Sequence, residues 1–146
     1  MDEDRREIER VNRLLAEYLG QPAVDVATAP ICIRAGSAAV YVRLLDVSPR
    51  AVRIFSPMLR GVDCSPELLL ELNRINASVN SARTFWRAGT VYAALEHLTE
   101  TLDRNELEYA CELVAAVADH HDHDLQASFG GTLGFDDEPG TPRSQP

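Results

Sequence analysis

The chain has 146 residues, 45% of them hydrophobic, and a formal net charge of -9 at pH 7. This length is typical of a single domain, and the composition is that of a folded protein rather than a disordered one. The negative charge argues against a nucleic acid or an anionic membrane surface as the main partner, because both require a basic face.

Other features of the whole chain narrow its chemistry and its setting. All 14 basic residues are arginine, which we interpret as the coding bias of a GC-rich bacterium. Because the sequence contains no lysine, Schiff-base catalysis and a lysine-dependent phosphate loop are excluded. The three cysteines are widely spaced, as expected for reduced thiols. Residues 1–10 are charged and no apolar run reaches the roughly 18 residues of a membrane span, so we expect a cytoplasmic protein.

Three segments of the chain are predicted to be helical. Residues 2–20 carry apolar side chains at helical spacing, and Gly20 is a suitable end for that helix. Ser65 is a favourable residue for starting the second helix. The third helix opens at Asp103, because Glu106 three residues later completes the pattern of a capping box.

The other predicted elements are strands, and turn residues separate them. The sequence predicts strands in residues 30–35, 38–46, 51–59, 82–87 and 90–98. Gly36–Ser37 and Ala88–Gly89 interrupt runs that are rich in β-branched and aromatic residues, which is the pattern of a hairpin. Pro57 suggests a sheet edge or the end of a strand, because proline cannot donate a hydrogen bond within a sheet.

These elements give the order α-β-β-β-α-β-β-α. Strands joined by hairpins pair antiparallel, and helices that collect on such a sheet make an α+β protein. The sequence therefore predicts a five-stranded antiparallel sheet with helices packed on it. We expect one domain over residues 1–128 and a flexible tail over residues 129–146, which are rich in glycine, proline and acidic residues.

Residues 66–122 carry a recognisable pattern. Their helix ends in Leu-Asn-x-x-Asn, a strand hairpin follows, and the last helix opens after an acidic cap. This pattern resembles type III secretion chaperones of the CesT type and the YbjN family, and the resemblance extends over residues 1–126 as topology. It implies a small, usually dimeric, peptide-binding or regulatory protein without enzymatic activity or a cofactor.

The stretch "RTFWRAGTVY" is the most aromatic part of the chain. The alternation of a strand places Arg83, Phe85 and Arg87 on one face, and Thr84 and Trp86 on the other. An exposed aromatic side chain beside arginines is typical of an interface. Two interpretations stay open: contact with a partner or peptide, and packing within the chain.

The candidate residues for binding a protein or peptide client extend this stretch onto neighbouring strands and a helix. They are Trp86, Arg87, Phe85, Tyr92, Tyr41, Arg43, Arg53 and Asn76. Asn73, Asn76 and Asn80 line one face of the second helix. Their amides are suited either to joining the helix end to the next hairpin or to bonding the backbone of a bound peptide.

A cluster of histidines and aspartates lies in residues 119–124. His120 and His123 are three residues apart, so a helix would place them on one face as weak candidates for zinc or nickel ligands. This gives an alternative function, a metal-responsive or small-ligand sensor. The simpler interpretation is a solvated helix end, and we find no catalytic motif elsewhere, such as the nucleophile elbow around a serine.

Overall fold

The computed structural model describes residues 2–22, 24–35 and 38–134. The helices and strands occur in the order α1 (Asp2–Leu19), β1 (Ile31–Ala35), β2 (Ala38–Leu45), β3 (Ala51–Arg60), α2 (Pro66–Ser78), β4 (Arg83–Arg87), β5 (Thr90–Leu98), α3 (Arg104–Phe129) and β6 (Thr132–Leu133). The predicted α+β class and element order are confirmed, and the short strand β6 is an addition. The predicted break at Gly36–Ser37 lies outside the described residues.

The strands form one antiparallel sheet in the order β1-β2-β3-β5-β4, and β6 pairs with β3. Pro57 therefore lies in a central strand, so its prediction as an edge residue is wrong. The pairing of β3 with β2 extends only as far as Phe55, and its pairing with β6 begins at Leu59. Pro57 falls between these two ladders and beside a bulge in the pairing with β5, where a missing N–H is tolerated.

The two faces of the sheet carry two separate hydrophobic clusters. The main core contains Ile54 and Leu95 from the sheet, together with residues of all three helices such as Leu15, Leu72 and Val114. The second cluster comprises Ala39, Tyr41, Phe55, Tyr92 and Ala94, with Phe85 packed against it, and no described helix contributes to it. We call the sheet surface around this second cluster the aromatic face.

The helix starts follow the local sequence. Ser65 Oγ accepts a hydrogen bond from the Leu68 N–H at 3.1 Å, and Asp103 Oδ1 accepts one from the Glu106 N–H at 2.8 Å. Both caps satisfy N–H groups that have no partner within the helix. None of the described helices combines the length and the apolar character that a membrane span requires.

The third helix runs further than its apolar stripe suggests. It passes through the histidine and aspartate cluster, buries Leu125, and ends before Gly130, whose φ of 78° glycine adopts without strain. β6 then adds two residues to the sheet. The predicted tail boundary at residue 129 stays a prediction, because residues 135–146 lie outside the described residues.

Candidate protein-binding face

Four aromatic rings form a row across the aromatic face. Tyr41 and Phe55 stack with ring centroids 5.4 Å apart, Phe55 meets Tyr92 edge-on at 6.2 Å, and Tyr92 stacks on Phe85 at 5.4 Å. The register explains the row, because Tyr41 lies opposite Phe55 and Phe85 lies opposite Tyr92. The row crosses four neighbouring strands; the rings of Tyr41, Phe55 and Tyr92 are buried in it, and Phe85 is half-buried.

Arginines surround this row, because cross-strand partners project from the same face of a sheet. Arg43 lies opposite Arg53, and Arg87 and Arg60 both lie opposite Thr90. Arg34 lies opposite Ala39 and Arg83 lies opposite Ala94, so both also belong to this face. The arginines of the aromatic face are therefore Arg34, Arg43, Arg53, Arg60, Arg83 and Arg87. Glu96 is the one acidic residue that the described strands place on this face.

Glu96 holds two of these arginines together. Its Oε2 atom lies 2.8 Å from a terminal guanidinium nitrogen of Arg83 and 3.5 Å from Arg53 Nε. Arg83 also lies over the Phe85 ring, with its guanidinium carbon 5.3 Å from the ring centroid. One carboxylate thus serves two guanidinium groups, and the aromatic face keeps a positive charge on a chain whose net charge is -9.

The positive charges are close enough to influence one another. Partial burial lowers the pKa of Arg43 below its usual value, and the charges of Arg53 and Arg87 lower it further. Both effects disfavour the charged guanidinium at this position. The neighbouring positive charges attract anionic groups, so the aromatic face is suited to a partner that is aromatic and acidic.

The structure brings most of the predicted binding residues together. Tyr41, Phe85 and Tyr92 share the aromatic row, and Arg43, Arg53 and Arg87 border it. The predicted alternation along β4 is also seen. Phe55, Arg34 and Arg60 also belong to this face, although they are not among the residues predicted from the sequence. The alternation in "AVRIFSP" would have placed Phe55 with Arg53, but Arg60 follows the bulge, where the alternation changes phase.

Trp86 lies on the other side of the sheet from this group. It packs against the main core, and its indole N–H donates a hydrogen bond to the Val62 carbonyl at 2.8 Å. Its neighbour Phe85 lies on the aromatic face, as the alternation requires. We therefore assign Trp86 to holding β4 on the core rather than to contact with a client.

Asn76 joins α2 to strand β4. Its Nδ2 donates to the Thr84 carbonyl at 3.0 Å, and its Oδ1 accepts from the Thr84 N–H at 2.6 Å. The Thr84 hydroxyl donates to Asn76 Oδ1 and to the Leu72 carbonyl. The amide thus occupies both main-chain groups of Thr84 on an edge strand, which corresponds to the first of the two roles that the sequence left open for it.

The histidine and aspartate cluster is held by contacts within α3. Asp122 is buried, and its Oδ1 lies 2.7 Å from both the backbone nitrogen and Nδ1 of His123. Burial raises the pKa of the Asp122 carboxyl, and burial followed by the charge of His120 lowers the pKa of His121. Within residues 2–22, 24–35 and 38–134, no three His, Cys, Asp or Glu side chains are grouped for a metal ion. The metal-sensor alternative therefore gains no support.

His97 lies on β5 in a cleft of about 390 Å³ beside α3. Its Nε2 contacts a carboxylate oxygen of Glu106, and its Nδ1 lies 2.9 Å from the Leu98 carbonyl. Both ring nitrogens are therefore engaged by neighbouring oxygens. This arrangement fits a packed histidine that links the sheet to the start of the last helix.

Solved structures share this fold, among them two complexes. The crystal structure of the ExsC-ExsE complex matches with a TM-score of 0.65 and 16% identity, covering 80% of this chain and 93% of the other. The structure of the HopA1-SchA chaperone-effector complex matches with a TM-score of 0.65 and 9% identity, covering 84% of this chain and 98% of the other. A comparison of the sequence with curated proteins finds no significant match.

The sequence of this chain also matches a protein family over most of its length. The family is described as T3SS (YopN, CesT) and YbjN peptide-binding chaperone 1, and residues 6–137 match it. The match contains every described strand and almost all of the three helices. The chain therefore belongs to the TY-Chap1 family of T3SS and YbjN peptide-binding chaperones.

Proposed function

We propose that this protein is a cytoplasmic, non-enzymatic chaperone that holds a segment of a client protein on its aromatic face. The observation that carries the proposal is the row of four aromatic rings bordered by six arginines, on a chain whose net charge is -9. The family description supports peptide binding. A structural neighbour is a chaperone-effector complex, which supports a protein client.

The chemistry of the face suggests what the client segment contains. Aromatic or large apolar side chains would pack against the row at Phe85, its one ring that is not buried, and acidic side chains would pair with Arg43 and Arg87. Guanidinium groups next to one another repel, so an acidic segment gains more here than a neutral one. Among the predicted binding residues, we keep those of the aromatic face and leave out Trp86 and Asn76.

An adjacent edge of the sheet offers a second mode of contact. β1 is an end strand of the sheet, and β2 is its neighbour among the described strands. Cys32 and Arg34 of β1 are exposed. An extended client segment could add its backbone to β1 and place alternate side chains towards Tyr41, which is the geometry of strand addition.

A double charge reversal on the aromatic face tests client binding. We expect the variant Arg43→Glu/Arg87→Glu to lose about tenfold or more of its affinity for an acidic client segment, because two charge-assisted contacts become repulsive. The fold should be retained, because a glutamate at position 43 would face Arg53. Proteins captured from a lysate of the native host would be identified by mass spectrometry, and labelled segments of them would be titrated by fluorescence anisotropy.

The matched control reverses two exposed arginines of α1, in the variant Arg6→Glu/Arg13→Glu. This control changes the net charge by the same amount, so it removes the general effect of charge on association. We expect it to bind as the wild type does. Equal losses in the two double variants, or no loss in either, would contradict binding at the aromatic face.

We also propose that the protein is a homodimer that associates through α2. Leu69 and Leu70 are adjacent on this helix and are 48% and 70% exposed, an unusual exposure for large apolar side chains on a helix that already buries Leu68 and Leu72. A symmetric pair of such surfaces would bury all four leucines.

The substitution Leu70→Glu tests this interface. We expect the wild type to scatter light as a dimer and Leu70→Glu to scatter as a monomer, because two carboxylates would meet in an apolar contact. Val47→Glu is the matched control, since Val47 is 52% exposed and lies in the turn between β2 and β3. A monomeric wild type, or a Leu70→Glu variant that stays dimeric, would remove the proposed interface.

A further inference from the structure

Residues 135–146 have a composition opposite to that of the aromatic face. Phe135 is followed directly by Asp136, Asp137 and Glu138, and this segment of 12 residues contains a single basic residue, Arg143. We infer that this segment folds back onto the aromatic face and occupies the surface on which the client binds. The inference rests on the proposed function and adds a regulatory element to the same site.

The last described residues, Thr132 to Gly134, lie beside β3, the strand that carries Phe55 and Arg53 of the aromatic face. β6 pairs antiparallel with β3, with Thr132 opposite Arg60 and Leu133 opposite Leu59. The chain at Gly134 therefore travels towards the beginning of β3. A Cβ atom on Gly134 would lie 1.8 Å from the carbonyl oxygen of Pro57, so only glycine fits this close approach. Pro57 itself lies opposite Tyr92 of the aromatic row.

Residues 134–138 are long enough to span the part of β3 between Pro57 and Arg53. Four residues separate Pro57 from Arg53 along β3, a span of roughly 13 Å at the rise of an antiparallel strand. Four residues also separate Gly134 from Glu138, and an extended chain of that length reaches at most about 14 Å. Phe135 thus comes within reach of Phe55, and the three acidic side chains come within reach of Arg53 and Arg43, with the described elements unchanged.

The burial of the aromatic row also fits a cover of this kind. Phe55 is 3% exposed and Tyr92 is 0% exposed, although the described helices all lie on the other face. Carboxylates on a covering segment would offset the repulsion among the guanidinium groups of Arg43, Arg53 and Arg87. The aromatic face is therefore a surface that is better occupied than bare.

A tethered segment does not need high affinity to fill this surface. Attachment through Gly134 gives it an effective concentration in the range of about 1 mM, as for other short linkers. A client with the same aromatic and acidic pattern but tighter contacts would displace it. The segment would then act as a built-in competitor, which keeps weak ligands off the aromatic face and raises the affinity that a client needs.

Paramagnetic relaxation in the full chain tests the position of the segment. A nitroxide label is attached to Thr141→Cys in a background where the exposed Cys32 and Cys64 are serine. Cys111 is not labelled, because it is buried and burial raises its pKa to about 12. We expect amide signals around Arg43, Phe55 and Tyr92 to lose intensity, and those of α2, on the other side of the sheet, to keep it.

Two variants show whether the acidic side chains cause the contact. Neutralising them in Asp136→Asn/Asp137→Asn/Glu138→Gln should restore the lost intensity. The control Glu3→Gln/Asp63→Asn/Glu100→Gln neutralises three exposed acids elsewhere and should leave the loss in place. The inference would be overturned by any of three results. These are a loss of signal intensity confined to β6 and the neighbourhood of Pro57, an equal loss on both faces of the sheet, or a loss that does not change when residues 136–138 are neutralised.

The two experiments separate this inference from the proposed function. If charge reversal at Arg43 and Arg87 abolishes client binding but the label shows no contact with the aromatic face, the inference fails and the proposed function stands. If the label shows the contact but the charge-reversed protein keeps its clients, the segment covers a face that binds no client, and the proposed function fails.

Discussion

Replacing Trp86 with alanine is expected to lower the free energy of unfolding by about 3 kcal/mol, the lower part of the range for removing a tryptophan from a core. The side chain is half-buried against the main core, and its indole N–H bonds the Val62 carbonyl. Alanine would leave a cavity between β4 and the helices and would leave that carbonyl without its donor. Urea unfolding followed by circular dichroism measures the change, since Trp86 is the only tryptophan.

Two substitutions separate the parts of this effect. Trp86→Phe keeps most of the packing and loses the hydrogen bond, so we expect a loss of about 1 kcal/mol. Phe85→Ala changes the adjacent residue on the aromatic face, and there we expect weaker client binding. A Trp86→Ala protein that is as stable as the wild type but has lost its clients would show that Trp86 contacts the client, which is one of the two interpretations that the sequence left open.

Replacing Asn76 with alanine is expected to lower the free energy of unfolding by about 2 kcal/mol. The substitution removes both hydrogen bonds that the amide makes to the main chain of Thr84. Thr84 is buried, so water replaces those bonds poorly and two main-chain groups lose their partners. The midpoint and slope of urea unfolding measure the loss.

Asn73→Ala is the matched control for this substitution. Asn73 lies one turn earlier on the same helix and is exposed, so its replacement should change the free energy of unfolding by less than about 0.5 kcal/mol. Asn76→Asp adds a finer test. An aspartate can accept from the Thr84 N–H but cannot donate to the Thr84 carbonyl, so its stability should fall between those of the wild type and Asn76→Ala. Equal stability of the Asn73 and Asn76 variants would contradict the bridge.

Local signals in the sequence predicted the elements well. Ser65 and Asp103 act as caps because capping depends on the few residues around a helix start. The alternation in "RTFWR" separates Phe85 from Trp86 because successive side chains of a strand point to opposite faces. The element order was predicted because hairpins join neighbouring strands, and the family resemblance rests on the same order.

Long-range pairing decides what the sequence left open. Alternation shows that Phe85 and Trp86 face opposite ways, but it does not show which of them faces the helices. The assembly of Arg43, Arg53, Arg60 and Arg87 on one face depends on register between strands distant in sequence, and a bulge shifts that register. β6 has only two residues, too few for any periodicity, so its pairing with β3 could not be predicted.

The hydrogen bonds between Asn76 and Thr84 make the two edge strands of the sheet, β1 and β4, unequally available for pairing. On β4 the amide already occupies main-chain groups that a foreign strand would need, whereas β1 is guarded by no such contact among the described residues. A fibre that grows by edge-to-edge pairing of sheets needs an open edge strand on both sides of the sheet in every copy. If the β4 edge is blocked, the β1 strand of one copy can pair only with the β1 strand of another. Such pairing gives a closed two-fold dimer instead of an open-ended polymer.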